Sequence, residues 1–188
     1  MLPLHRISGR FWRAIAADRA EQVLDLPGPE SAGRYHRPGQ PALYITPEAD
    51  WAAIAIGRYL LADGIERVAV PLELDGAEVF DQRNLAACAA LGIDPEQSQV
   101  RWNDELAAGR EPPSWRASDA ARAGGAQGII DVSRGIAGGW HACLFAWNVH
   151  GSPQVRVAGN PQPCDFWRAR DHWPAPEGWA LPESLSRR

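Results

Sequence analysis

Three short apolar segments, GIIDVS at 128–133, HACLFAWNV at 141–149 and PQVRVAG at 153–159, follow one another with only glycine- and proline-containing turns between them. Runs of this length, bounded by such residues, form strands. Strands joined without a crossover helix pair antiparallel. Upstream, helical and strand patterns interleave without a regular strand–helix–strand alternation. The glycine-rich RAGGAQGIID precedes a strand, whereas a dinucleotide fingerprint places its glycines between a strand and a helix. The order predicts an α+β fold, with mixed, mostly antiparallel sheets flanked by helices, in place of a doubly wound parallel sheet.

Along the chain, GRFWRAIAADRAEQVL (9–24) carries apolar residues at helical spacing and predicts a helix that LPGPESAG then breaks. The turn GRYHRPGQP leads into a strand at Ala42–Ile45. Thr46 and Pro47 suit an N-cap and a first helical residue, so a helix is expected to run to Ala62 or Asp63, with Gly64 ending it. RVAVPLEL (67–74) reads as a strand in which Pro71 marks an edge or a bulge. Asp81 is placed to cap a helix through QRNLAACAAL, and further helices are expected over QVRWNDELAAG and after Ser114 or Ser118. The proline- and tryptophan-rich tail after Gly159 is expected to pack on the surface as irregular chain, fraying at its last residues. Trp140, Trp147, Trp167, Trp173 and Trp179 are expected in the core or docking that tail.

The length of 188 residues fits one domain, 1–188, with enough chain to bury a core. A formal net charge of −4 gives no basis for electrostatic binding to nucleic acid. No apolar run approaches the roughly 20 residues of a membrane span, and the first residues lack a signal peptide's apolar stretch. A cytoplasmic location is therefore the expectation. Cys88, Cys143 and Cys164 stand far apart with no CxxC pair, and His150 and His172 show no ligand spacing, so no metal is expected. All 19 basic residues are arginine. Without a lysine, Schiff-base chemistry and a P-loop lysine are excluded, and any bound phosphate falls to arginines and backbone N–H groups.

The candidate site residues gather around two segments. The turn holds Arg34, Tyr35 and His36, and Tyr44 ends the following strand; Ser133 and Arg134 end the strand GIIDVS. On residue chemistry alone, Arg34 also suits an ion pair with a carboxylate on the surface, Tyr44 a half-buried strand position, and Ser133 plain turn chemistry. His36 titrates near neutrality and suits acid–base work. His141 reads as a structural donor, and Asp131 is the acid nearest to Ser133 in sequence.

GRYHRPGQPALYIT (33–46), GGAQGIIDVSRG (124–135) and HACLFAWN (141–148) resemble the three signature blocks of the RES domain family, named for its Arg, Glu and Ser. The resemblance covers about residues 5–160 and leaves 160–188 as a C-terminal extension. It implies a fold similar to diphtheria-toxin-type ADP-ribosyltransferases and a toxin of a toxin–antitoxin pair. Such a toxin consumes NAD⁺ as substrate at the nicotinamide–ribose bond, by hydrolysis or phosphorolysis. It further implies an antitoxin partner with a helix-turn-helix DNA-binding domain, and a dimer or larger assembly. By resemblance, Arg34 grips a pyrophosphate oxygen, Tyr44 stacks on nicotinamide or a base, and Ser133 contacts phosphate or ribose. Tyr35 and Arg134 complete the NAD⁺-binding set, and His36 stands beside them as a catalytic candidate.

The family glutamate is expected about eleven residues after the strand tyrosine, and counting from Tyr44 arrives at Ala55. Breaking the nicotinamide–ribose bond passes through an oxocarbenium-like state that a nearby carboxylate stabilises. Glu48, Asp50 and Glu66 flank the same helix, though Glu48 stands about 10 Å from position 55 along the axis. Two other readings follow from the same residues: a protein ADP-ribosyltransferase sharing the NAD⁺ site, and a non-catalytic relative that binds a nucleotide or a partner.

Overall fold

The computed structural model describes residues 2–181 and residue 185. Its strands are β1 (His5–Ala16), β2 (Leu43–Ile45), β3 (Arg67–Asp81), β4 (Gly128–Val132), β5 (Trp140–Leu144), β6 (Gln154–Val157) and β7 (Gln162–Pro163). They form one sheet with the path β1-β3-β4-β5-β2, and β6 and β7 both pair with β3. β3 and β4 run parallel; the other pairings are antiparallel. The sheet curls until its ends touch: Trp12 of β1 and Thr46 beyond β2 exchange backbone hydrogen bonds of 2.7 and 2.9 Å. Around it lie a 3-10 turn (Ala17–Gln22) and helices α1 (Ala49–Ala55), α2 (Gly57–Ala62), α3 (Leu85–Ala90), α4 (Pro95–Ser98), α5 (Trp102–Ala107), α6 (Pro113–Ala123) and α7 (Phe166–His172). This is the α+β architecture that the segment order predicts.

Strand alternation sorts side chains between two cores. Leu43, Ile45, Val70, Leu72, Ile130 and Leu144 fill one face of the sheet. Ile129, Cys143 and Phe80 face the other way and meet Ala87 and Cys88 of α3 and Ala117 and Ala121 of α6. A third cluster joins Trp51 and Ile54 of α1 to Ile136 and to Ala169 of α7. The functional candidates lie on the second of these faces.

The helix expected over 9–24 is instead strand β1 followed by the 3-10 turn. Phe11 and Ile15 are four residues apart, a spacing that suits a helix face and one side of a strand equally. The choice falls to β3, which pairs with β1 from His5 to Ala16 with one register shift between Ile7 and Gly9. Residues 67–81 become a single long strand for the same reason. Pro71 lies inside β3 at a gap in the pairing, where β7 partners (Val68, Ala69) give way to β6 partners (Leu72 onward); on the other side its partner Trp12 turns its N–H and C=O to Thr46, so no ladder bond needs the missing N–H.

The helix expected from Thr46 to Ala62 begins later and breaks. Thr46 is held in the bridge to Trp12, and Glu48 takes the N-cap position. The axis is interrupted at Ile56, and Gly57 opens α2. A Cβ on Gly57 would collide with the Phe166 ring of α7, so the break and the glycine admit that ring. Asn84, not Asp81, caps α3, its Oδ1 accepting the Ala87 N–H at 3.1 Å, while Asp81 ends β3 and pairs with Arg83 at 2.7 Å. The tail, expected irregular, contains α7, capped by Asp165. Trp173 meets Trp51 edge-on at 5.2 Å between ring centres, and Trp179 lies 6.4 Å from Phe166. The expected fraying of the last residues falls outside the described ones.

Candidate functional site

The site begins as a tightly fastened turn. Gly33 and His36 form a bridge, with the Gly33 N–H donating to His36 C=O at 3.0 Å. The first turn of α6 holds it from outside: the Trp115 indole N–H donates to Gly33 C=O at 2.7 Å, and the Ser114 hydroxyl to Arg34 C=O at 2.5 Å. Tyr44 holds it from the sheet, its hydroxyl oxygen accepting the Tyr35 N–H at 2.9 Å and lying 3.0 Å from His36 Nδ1. A Cβ at Gly33 would stand 2.5 Å from His36 Cε1 and 2.8 Å from the Tyr44 hydroxyl. Only glycine fits there.

Against this turn lies the helix-facing side of β4 and β5. Asp131 and His141 are cross-strand partners, as are Tyr44 and Cys143 one step along, and Ser133 continues the Asp131 side of the strand. Arg34 reaches this row and binds Asp131 Oδ2 at 2.8 Å, with side-chain exposures of 12% and 5%. Gln99 Nε2 donates to the other Asp131 oxygen at 2.7 Å. Arg34 also donates to Ser98 C=O at 3.4 Å. The Ser133 hydroxyl accepts the Gly135 N–H at 3.3 Å, and its own N–H donates to Gly139 C=O at 2.8 Å. Behind the turn, Gln82 donates to the Tyr35 hydroxyl at 3.0 Å and accepts from the Ser98 hydroxyl at 2.7 Å.

Arg34, Tyr35, His36 and Tyr44 therefore meet in one turn, which Asp131 ties to β4, and Ser133 lies two residues beyond Asp131. Arg134 is exposed and makes a 3.5 Å contact to Gln99 C=O. Arg34 does form an ion pair, but in the interior and not on the surface as expected, and Tyr44 is half-buried in its strand. Gln82, Ser98, Gln99, Ser114 and Trp115 were missed from sequence, and nothing local marks them: each lies in a loop or at a helix end where its role depends on a distant partner. Asp131 was legible only as an acid two positions before Ser133.

Burial shapes the electrostatics. It works against the charge on Arg34, and the hydrogen-bonded Asp131 carboxylate holds that charge in place. The Asp131 carboxyl is pushed up by burial, with Arg34, Tyr35 and Gln99 opposing. The Tyr35 and Tyr44 phenols lie well above their usual range through desolvation. His36 is pushed down to about 4 by burial, with Arg122 and Arg13 adding to it. His141 is likewise pushed down to about 4, by burial and then by Arg34. Both imidazoles are neutral at pH 7. His36 Nε2 is buried without a hydrogen-bond partner.

The reserve carboxylates lie elsewhere. Asp50 is held by Arg168 at 3.1 Å and faces His172 at 3.3 Å, both on α7. Glu48 and Glu66 are exposed. Ala55 is an exposed residue at the end of α1, and its neighbour Ile54 lies 3.0 Å from where a Cβ on Gly135 would stand. Position 55 is thus one residue from a contact with the loop after Ser133. Among the described residues no group of three His, Cys, Asp or Glu side chains is placed to hold a metal ion. Two surface concavities, of about 220 and 670 Å³, are not lined by Arg34, Asp131 or Ser133. No helix among the described residues is long and apolar enough to cross a membrane.

A mixed sheet carrying an arginine turn and a strand-end serine on one face defines the chain's class. The RES domain model matches residues 3–175, and the chain belongs to that family. Among solved structures it is similar to a chain of the M. tuberculosis MbcT–MbcA toxin–antitoxin complex, with a TM-score of 0.60 and 16% identity over 89% of this chain and 90% of that one. That similarity is one of fold. No curated protein matches the sequence.

Proposed function

We propose that this protein is a RES-family, toxin-like enzyme that consumes NAD⁺ by cleaving the nicotinamide–ribose bond, as a glycohydrolase or phosphorylase, and that a partner antitoxin restrains it. The observation that carries the reading is the buried ion pair of Arg34 with Asp131, which ties the block of the arginine turn to the block that ends in Ser133, within a chain that matches the family over most of its length. Arg34 supplies the planar fork for a pyrophosphate, Tyr35 and Arg134 its surroundings, and Ser133 a ribose or phosphate contact. His36, neutral and bonded to Tyr44, holds the turn in shape. The antitoxin reading, including a helix-turn-helix DNA-binding partner, draws support from the fold shared with a chain of a toxin–antitoxin complex. A single domain over 1–188, a cytoplasmic setting and a dimer or larger assembly belong to the same proposal.

The test is nicotinamide release from NAD⁺ by the purified protein, with and without phosphate. Release in buffer alone identifies water as acceptor, and release that requires phosphate identifies phosphorolysis. Label retained on protein would move the reading to ADP-ribosyl transfer. A second, non-catalytic reading is favoured by Ala55 at the glutamate position and by the closure of Arg34 onto Asp131. Binding of NAD⁺ without any release would establish it.

A further inference from the structure

The guanidinium proposed for the substrate's pyrophosphate already carries an anion, held through its Nη1. Arg34 donates to Asp131 at 2.8 Å in a pair that is almost wholly buried, and Asp131's second oxygen is held by Gln99 at 2.7 Å. A buried arginine is costly to leave without a counter-charge, so it does not simply wait for an anion with an empty fork. Exchanging one anion for another on the same guanidinium keeps the charge balanced. Gln99 remains on Asp131 when Arg34 departs, so the carboxylate retains a partner through the exchange.

We infer that Asp131 is an internal stand-in for the anionic part of the substrate: a pyrophosphate displaces it from Arg34, and the freed carboxylate then faces the ribose. The inference rests on the NAD⁺ reading above and names the carboxylate for that chemistry. The other acids offered by the sequence are exposed or committed to α7, whereas Asp131 shares a strand face with Ser133 and is paired across the sheet with His141. In the hydrolytic case the C1′–N bond breaks and its electron pair leaves with the nicotinamide nitrogen, which becomes neutral. Water's oxygen bonds to C1′, and its proton passes to the Asp131 carboxylate and then to solvent. Burial already presses Asp131 upward, and removing the opposing Arg34 charge raises it further, which suits a proton acceptor.

The experiment compares the native chain with Asp131→Asn in two readings: calorimetric titration with NAD⁺ and with inorganic pyrophosphate, and the rate of nicotinamide release. Asparagine keeps the shape and one hydrogen bond while removing the competing charge. The expected result is binding at least about tenfold tighter together with release at least about a hundredfold slower, a split that a general loss of structure does not produce. Asp131→Glu should recover part of the rate. Unchanged or weaker binding by a cooperatively folding Asp131→Asn overturns the inference. Should that variant not fold, the Arg34 Nε resonance of the native protein is followed during pyrophosphate titration: a shift supports exchange, and a static resonance in a protein that binds pyrophosphate refutes it. Full-rate release by Asp131→Asn sinks the inference while leaving the NAD⁺ reading intact. Exchange in a native protein that releases no nicotinamide sinks the proposed function and leaves Asp131 as the stand-in anion.

Discussion

Arg34 and Asp131, 97 positions apart in sequence, meet at 2.8 Å and bury each other's charge. The pair joins the turn after residue 33 to the face of β4, so binding chemistry and fold stability share one contact. Changes at either residue must be read for both.

Arg34→Ala leaves Asp131 buried with Gln99 as its remaining partner of the two. Removing one member of a buried ion pair typically costs about 3–5 kcal/mol. Urea unfolding should show a loss of that size, with part of it recovered in Arg34→Ala/Asp131→Asn. NAD⁺ binding should vanish in the single variant; titration indistinguishable from native would remove Arg34 from the site.

Tyr44→Phe deletes the oxygen that accepts the Tyr35 N–H and meets His36 Nδ1. An orphaned buried donor costs about 1–3 kcal/mol. Thermal unfolding should register that loss, and hydrogen exchange at the Tyr35 amide should speed up. A variant as stable as native would mean that the turn does not depend on this hydroxyl.

The two histidines make stability fall in mild acid. Their folded-state values near 4 lie below the unfolded value of 6.5, so the unfolded chain binds more protons between those limits. Stability is full above about pH 6.5 and declines as pH drops toward 4. At pH 5 each contributes a loss on the order of 1–2 kcal/mol after allowance for residual solvent contact. Replacing His141 with Gln should flatten the decline measured by urea midpoints from pH 7 to pH 5; an unaltered slope would exclude His141 as a source.

Gly57→Ala places a methyl group against the Phe166 ring. Overpacking of this kind costs about 1–3 kcal/mol. Because Phe166 opens α7, whose Ala169 packs with Trp51 and Ile54, the tail should loosen first, seen as a red shift in tryptophan emission before global unfolding.

Ala55→Glu adds a carboxylate at an exposed helix end, so stability should change by less than about 0.5 kcal/mol. Nicotinamide release separates two cases. A gain over native means that position 55 reaches the substrate, an unchanged but measurable rate means that the chemistry does not use position 55, and no release from either protein favours the non-catalytic reading.

The local patterns carried far. The Gly- and Pro-bounded strands of 128–159, the strand before Thr46 and the α+β class were readable because turns and short alternations are decided by neighbouring residues. The turn of Arg34, Tyr35 and His36, and Ser133 with it, stood out only through the resemblance of their blocks to the family, and the lack of lysine bounded the chemistry outright. What sequence did not carry was every choice made by a distant partner. Residues 9–16 became strand because β3 offers them a continuous edge, and the helix at 49–62 broke because Phe166 arrives at Gly57. Asp131 changed from a spare acid into the partner of Arg34 because the sheet brings β4 beneath the turn and shuts water out. Hydrogen-bond ladders and buried charge pairs draw their energy from groups brought together only by folding, and so the tertiary structure alone decided them.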